Sequence, residues 1–358
     1  MKRAAFARIN LAHLKNNLAA IRKLANKSKV MAVVKADAYG HGMLEVCNSL
    51  IDADAFSVAY VNEALELREN GIKQPILALQ GFSSSDDLQN AIKHDIQVVI
   101  YHTEQLKLLK SISNTANLDV FVKIDTGMHR LGFAPQEFES IFTELKSFLS
   151  PKSKIRLMTH LACADEVDNV ATQRQLEQFE LAIKDISCEQ SIANSAGILA
   201  WPQSRRDWVR PGLVLYGINP MQKEITSPVE LRPVMSLHAP LISIKSCKKG
   251  DKVGYGGDFC CPSDMVIGII AIGYADGYPR HLASTPYVSI GAKKAPIVGR
   301  VSMDMIAVDL SSISTRVGEI VELWGETVLV SEVAQHAETI SYELLCAAGN
   351  SVYKEYIQ

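Results

Sequence analysis

Eight short apolar, β-branched runs recur along the first 217 residues of this 358-residue chain. They are VMAVV (30–34), AFSVAY (55–60), PILALQ (75–80), QVVIY (97–101), LDVFVKI (118–124), RLMTHL (156–161), QSIAN (190–194) and WVRPGLVLYG (208–217). Between most of them lie helical patterns: NEALELREN, TEQLKLLKSI, PQEFESIFTELKSFL and DNVATQRQLEQFELAIKDI. Buried runs alternating with amphipathic helices predict βα units and a parallel sheet. Eight such units in roughly 200 residues are close to the minimum for a (β/α)8 TIM-type barrel. A doubly wound open sheet satisfies the same pattern, because strand order is not written in one sequence.

After about residue 225 the texture changes. Apolar runs such as SLHAPLISIKSC, MVIGIIAIG, YVSIG, APIVGR, DMIAVDL and EIVELWG follow one another without helices between them. Turn chemistry separates them, as in KKGDKVGYGG and ADGYPR. The expected division is a barrel domain over 1–225 and a β-strand-rich C-terminal domain over 226–358, with the first ~8 residues joining the β domain. A length of this order fits about two domains.

Composition excludes several classes of function. A formal charge of −2 gives no footprint for nucleic acid or an anionic membrane. The opening MKRAAFARINLAHLKNN has no apolar h-region, and no stretch is long enough to span a bilayer. The seven cysteines are scattered, and the adjacent Cys260 and Cys261 suit neither a disulfide framework nor a C-x-x-C zinc site. Reduced thiols in a cytoplasmic protein without a metal are the expectation.

The chemistry should sit at the C-terminal ends of the barrel strands. Lys35, Lys123 and His160 occupy such ends; Asn194 and Ser195 close the seventh run, and Arg210 and Gly212 lie in the eighth. Ser195 with Ala196 and Gly197 can open a helix whose N-terminus faces a phosphate, though Ser and Asn also cap helices in general. A strand-end lysine opposite a phosphate site suits pyridoxal 5'-phosphate, whose aldehyde forms a Schiff base with an amine. Aldolase-like barrels use such a lysine on sugar substrates directly, so position alone does not choose between them.

Motif context does choose. VVKADAYGHG resembles the pyridoxal-phosphate attachment segment of alanine racemases, which are fold-type III enzymes. The resemblance continues in order through VKIDTGMHRLG, MTHLA, ANSAG, RPGLVLYG, VGYGG, IGYADGY and VGRVSMDM, over nearly the whole chain. It implies interconversion of L- and D-alanine by two bases, supplying D-alanine for peptidoglycan or serving alanine catabolism. Lys35 would hold the cofactor and act on the D face. Tyr255 would be the second base, supplied by the neighbouring subunit of a head-to-tail homodimer, with His160 hydrogen-bonded to it and Arg210 to His160. A free tyrosine has a pKa near 10, so its anion needs such support. Arg210 would sit at the ring nitrogen, where a permanent positive charge keeps that nitrogen unprotonated and limits side reactions.

By the same resemblance, Arg130 contacts the cofactor's phenolic oxygen and the substrate carboxylate, and Lys123 is a carbamylated lysine that orients Arg130. Tyr39, Asn194, Ser195, Gly212 and Leu213 hold the cofactor, and Met303 and Asp304 receive the substrate carboxylate. Tyr274, Arg280, Asp165 and Arg300 line the corridor to the site. Two positions depart from the family pattern. Ser302 stands where some members have cysteine, and Asn350 stands where some have a phosphate-contacting tyrosine. Rival readings include an amino-acid decarboxylase of the same fold, against which Arg210 speaks, and a broad-specificity racemase, whose members usually carry an export signal. A non-catalytic carrier of the cofactor would lack the β domain. IDTG resembles an aspartic-protease loop, but no second such loop is found.

Overall fold

A computed structural model of the protein describes residues 4–112, 118–222 and 227–358. The chain enters through strand β1 (Phe6–Asn10) and helix α1 (Leu11–Ala25), whose N-terminus is capped by the Asn10 side chain. Then β2 (Lys29–Val33), β3 (Ala55–Val58), β4 (Ile76–Ala78), β5 (Ile96–Ile100), β6 (Val120–Lys123), β7 (Ile155–Met158), β8 (Gln190–Ser191) and β9 (Trp208–Val209) form a closed parallel barrel. Pairing of Lys29 with Trp208 and of Val30 with Val209 closes the ring, which removes the open-sheet alternative. The connections carry α2 (Lys35–Gly40), α3 (Met43–Ser49), α4 (Val61–Glu69), α5 (Ser85–Lys93), α6 (Thr103–Ser111), α7 (Phe138–Phe148), α8 (Val170–Ile183) and α9 (Ser195–Ala200).

Met31, Ala55, Leu77, Val99, Phe121, Met158 and Trp208 fill the barrel interior. Near the strands' N-terminal ends the Arg156 guanidinium lies 5.3 Å from the Phe121 ring and 5.8 Å from the Trp208 ring. It pairs with Asp119 at 3.2 Å and Glu189 at 2.6 Å. A charge this buried is tolerable only because carboxylates and aromatic faces replace its water.

Several strands are shorter than the apolar runs suggest. WVRPGLVLYG yields only the two residues of β9; Pro211 has no amide hydrogen for a ladder, and Leu213–Tyr216 wind into a 3-10 turn. Arg210 therefore stands just beyond the strand, its amide donating to Ala193 O at 2.9 Å.

The remainder is mostly β. The long β10 (Met235–Cys247) is followed by the small hairpin of β11 (Lys252–Val253) and β12 (Phe259–Cys260), then β13 (Met265–Ile270), β14 (Tyr287–Ile290), β15 (Lys293–Pro296), β16 (Ile306–Asp309) and β17 (Ile320–Trp324). Two helices that the strand reading omitted, α10 (Val330–His336) and α11 (Ser341–Ser351), precede the last strand, β18 (Tyr353–Ile357). β10 pairs with β1, β13 and β17, and β1 lies between β10 and β18, so residues 6–10 belong to this sheet. The division expected at 225/226 falls within 223–226, outside the described residues. Among the described residues no helix is long and apolar enough to cross a membrane.

Candidate active site

Lys35 stands two residues beyond β2 and opens α2, a turn of opposite hand to an ordinary helix. Ala36, Asp37, Ala38 and Tyr39 have φ of 54°, 52°, 54° and 55°. Each L-residue in this region costs ~1–2 kcal/mol, about 4–8 kcal/mol for the four, so the surroundings must impose it. They do so from three sides. Asp37 Oδ1 accepts the Met43 amide at 2.7 Å, and Asp37 Oδ2 accepts from Lys354 Nζ of β18 at 2.7 Å. The buried His41 ring has Nδ1 2.9 Å from Ala38 O and 3.0 Å from Tyr39 O, and stacks on Tyr216 at 4.4 Å. Burial lowers the His41 pKa to about 4, so the ring is neutral. On the third side α11 rests on the turn: a Cβ on Gly349 would lie 2.0 Å from Gly40 O.

Around the Lys35 amine gather Arg130, Lys123 and His160, with Arg210 beside the last two. Burial, then Arg130, lowers the Lys35 pKa, while Glu63 opposes them. Burial, Arg210 and Arg130 lower the Lys123 pKa to about 8 against the pull of Asp125. His160 is driven well below its ordinary value by burial and then by Arg210, Lys123, Arg130 and Lys35, so it is neutral.

Arg210 is buried and donates from Nη1 to Ser191 Oγ at 2.6 Å and from Nη2 to Thr159 O at 2.7 Å. Its Nη2 lies 3.4 Å from His160 Nδ1, so the arginine–histidine link is present. Burial brings its pKa to about 10, and it remains charged at neutral pH. No carboxylate among the described residues pairs with it; Asp207, the obvious acidic neighbour in sequence, accepts the Gln190 amide instead. A pocket this rich in cations and poor in acids is built for an anion.

The phosphate end of such an anion has a matching cradle. Ser195 is buried at the start of α9, and its Oγ accepts the amides of Gly212 at 2.9 Å and Val214 at 3.4 Å, leaving its O–H to be donated. A Cβ on Gly212 would lie 2.5 Å from the Tyr39 hydroxyl, so only glycine lets that hydroxyl reach the backbone here. Tyr39 is held by ring contacts to Tyr216 at 4.9 Å and Tyr342 at 5.6 Å. The Gly212 amide donates to Ser195 Oγ, and Asn194 caps α9, accepting from Gly197 N at 3.0 Å and donating to Leu161 O at 3.2 Å. Leu213 is buried at the start of the 3-10 turn. Lysine amine, cation ring and serine–tyrosine cradle together fit pyridoxal phosphate.

Other expected residues are not drawn into this cluster. Tyr255, on the β11–β12 hairpin, is 70% exposed, and Met303 is 53% exposed on the loop before β16. Asp304 and Arg280 are exposed, and Tyr274 is half-exposed with its amide donating to Ser302 O at 3.1 Å. Arg300 pairs with Asp258 beside Tyr255, and Asp165 accepts from Gln222 Nε2 at 2.8 Å. Asn350 is exposed on α11.

Family models match the chain along most of its length: "Alanine racemase, N-terminal domain" over 9–220 and "Alanine racemase, C-terminal domain" over 234–356. The chain belongs to the alanine racemase family. It is 45% identical over 340 residues to an alanine racemase of Shewanella sediminis, covering 95% of each chain. With that of Coxiella burnetii the identity is 46% over 348 residues and 96% of each. Among solved structures, the biosynthetic alanine racemase of Pseudomonas aeruginosa superposes with a TM-score of 0.94 at 39% identity, covering 100% of both chains. The alanine racemase of Bartonella henselae, with covalently bound pyridoxal phosphate, gives 0.88 at 29% identity over 99% of each chain. The IDTG loop of this racemase-family chain is an Asx turn, its Asp125 Oδ1 accepting the amides of Gly127, Met128 and His129 at 3.0–3.1 Å.

Proposed function

We propose that this alanine racemase works with Lys35 as the residue that carries pyridoxal phosphate and as one of two bases, the other being Tyr255 of a second copy of the chain. The observation that carries the reading is the placement of one half-buried, pKa-lowered amine among Arg130, Lys123 and His160, backed by Arg210, with a Ser195–Tyr39 cradle at the strand ends. When bound, the cofactor supplies an electron sink that acidifies the Cα proton of the attached amino acid.

The protein's own residues do the rest. Burial and then Arg130 lower the Lys35 pKa, which favours the neutral amine that a proton-accepting base requires. Ser195 and Tyr39 hold the phosphate. Arg210, locked by Ser191 and the Thr159 carbonyl, keeps its proton at neutral pH with a pKa of about 10, so it presents a fixed charge. Arg130 receives a carboxylate.

A phenol that is 70% exposed has no reason to be a base in a lone chain. Tyr255, Met303 and Tyr274 are each exposed on the β domain, and this supports a head-to-tail homodimer in which they complete a neighbour's site. Met303 and Asp304 would then approach the substrate, with Tyr274, Arg280, Asp165 and Arg300 around the corridor. The neutral fraction of Lys123 implied by a pKa of about 8 supports its carbamylation. The free cysteines support a reducing, cytoplasmic setting. Domains dividing near residue 225 fit the change from barrel to sheet.

Borohydride reduction of the loaded enzyme followed by peptide mapping tests the reading. The pyridoxyl group should map to Lys35, and Lys35→Ala should lose visible absorbance and racemase activity together. An adduct on another lysine, or none, would overturn it.

A further inference from the structure

Glu63, in the first turn of α4, does more than cap its own helix. Its Oε2 accepts the amides of Ala59 at 2.6 Å and Tyr60 at 3.1 Å, the backward reach of an ordinary capping carboxylate. Its other oxygen leaves the helix. Oε1 accepts the amide of Ala36 at 3.0 Å, the first left-handed residue and the one directly after Lys35. The barrel's ladder ends just before, where the Val34 amide donates to Ser57 O at 2.9 Å. Glu63 thus bonds the first turn amide beyond the ladder and ties it to the β3–α4 junction.

We propose that Glu63 is the positioning residue for Lys35, fixing the backbone from which the amine projects and supplying the negative charge that faces it. The proposal rests on Lys35 being the cofactor lysine. The charged and titratable groups around that amine come from five elements or their connections. Arg130 follows β6, Lys123 ends β6, His160 follows β7, Cys346 lies on α11 and Glu63 on α4; Asp37 and Tyr39 belong to the turn itself. Three of these are cations or become so on protonation. Glu63 is the carboxylate that holds the amine's pKa up against Arg130 and burial.

The test uses full-length protein stripped with hydroxylamine and reloaded with pyridoxal phosphate, following the rate of adduct formation against pH and trapping the product with borohydride. Wild type should give an adduct mapped to Lys35; failure there would overturn the functional reading before Glu63 is questioned. Glu63→Gln removes the charge and leaves one acceptor oxygen where two were in use. Its midpoint for adduct formation should fall by about 0.5–1 pH unit. A midpoint equal to wild type, in a variant with wild-type circular dichroism, would overturn the proposal. Should Glu63→Gln fail to fold, Glu63→Asp answers instead. Its shorter arm keeps the charge but cannot span Ala36 and Ala59, so reloading should slow at least about threefold with the midpoint unmoved. Reloading at the wild-type rate would overturn the proposal.

Discussion

Gly349→Ala sets two effects of known size against each other. Gly349 lies inside α11, where alanine is favoured over glycine by ~1 kcal/mol. On propensity alone the variant should be more stable than wild type. Packing argues the other way. The new Cβ would lie 2.0 Å from Gly40 O and 2.4 Å from Gly40 Cα. That is roughly 1.5 Å inside the ~3.5 Å at which non-bonded atoms rest. Both contacts are backbone, so no side chain can swing aside; α11 must retreat or the left-handed turn must move. Overpacking of this kind costs typically ~1–3 kcal/mol, and rigid neighbours place it at the upper end. The expected net loss is about 2 kcal/mol, read as a fall of roughly 2–3 °C in the melting temperature of the loaded enzyme. The same displacement should speed release of pyridoxal phosphate, because Lys35 and Tyr39 flank the turn. Asn350→Ala, exposed on the same helix, is the control and should shift the melt little. A Gly349→Ala protein as stable as wild type, or more so, would refute the steric argument.

Glu189 should show its effect through pH. Burial raises its pKa, but hydrogen bonds from Lys29, Arg156 and Trp208 prevail and hold it down at about 2. A depressed carboxylate contributes stability above the unfolded value near 4.5, and loses it as pH falls toward 2. Glu189→Gln should therefore lower the urea midpoint at pH 7, with the gap to wild type narrowing between about pH 4.5 and 2; a gap independent of pH would contradict this. Tyr255→Ala should slow racemisation equally in both directions, since the equilibrium is fixed. It should lose exchange of the Cα hydrogen of L-alanine with solvent and largely keep that of D-alanine; equal loss from both would refute the two-base assignment. Lys123, with a pKa of about 8, should take up labelled carbon dioxide as a carbamate visible by 13C NMR and release it on acidification. A spectrum without that signal would reject the modification.

The sequence made the barrel legible because burial on both strand faces and helix amphipathicity are local patterns. It misjudged lengths where an apolar run passes from strand into something else. LVLY is as β-branched and apolar as a strand, yet Pro211 and the approach of Tyr39 to Gly212 turn it into a 3-10 segment. SYELLCAAGNS lies among strands yet folds as a helix, and the helical spacing of Leu344, Leu345 and Ala348 is the local signal for it.

At the site, Lys35, Lys123, His160, Ser195 and Arg210 were visible from strand-end position together with motif. Glu63, His41, Tyr216, Tyr342 and the Asp37–Lys354 pair were not. Each acts through tertiary contact, and no residue type in ADAY announces a left-handed turn. Glu63 had one local signal, its place three residues after the N-cap Tyr60, but the bond to Ala36 spans 27 positions and is invisible in sequence.

The link between Asp37 and Lys354 joins positions 317 apart. Loop closure over such a span is slow and depends on the sheet having docked first. A barrel whose β18 has not yet docked would thus have all its strands but lack the Lys354 tie on the left-handed turn that carries Lys35 and Tyr39. The turn's full rigidity then depends on the other half of the molecule being in place, and not on closure of the ring alone.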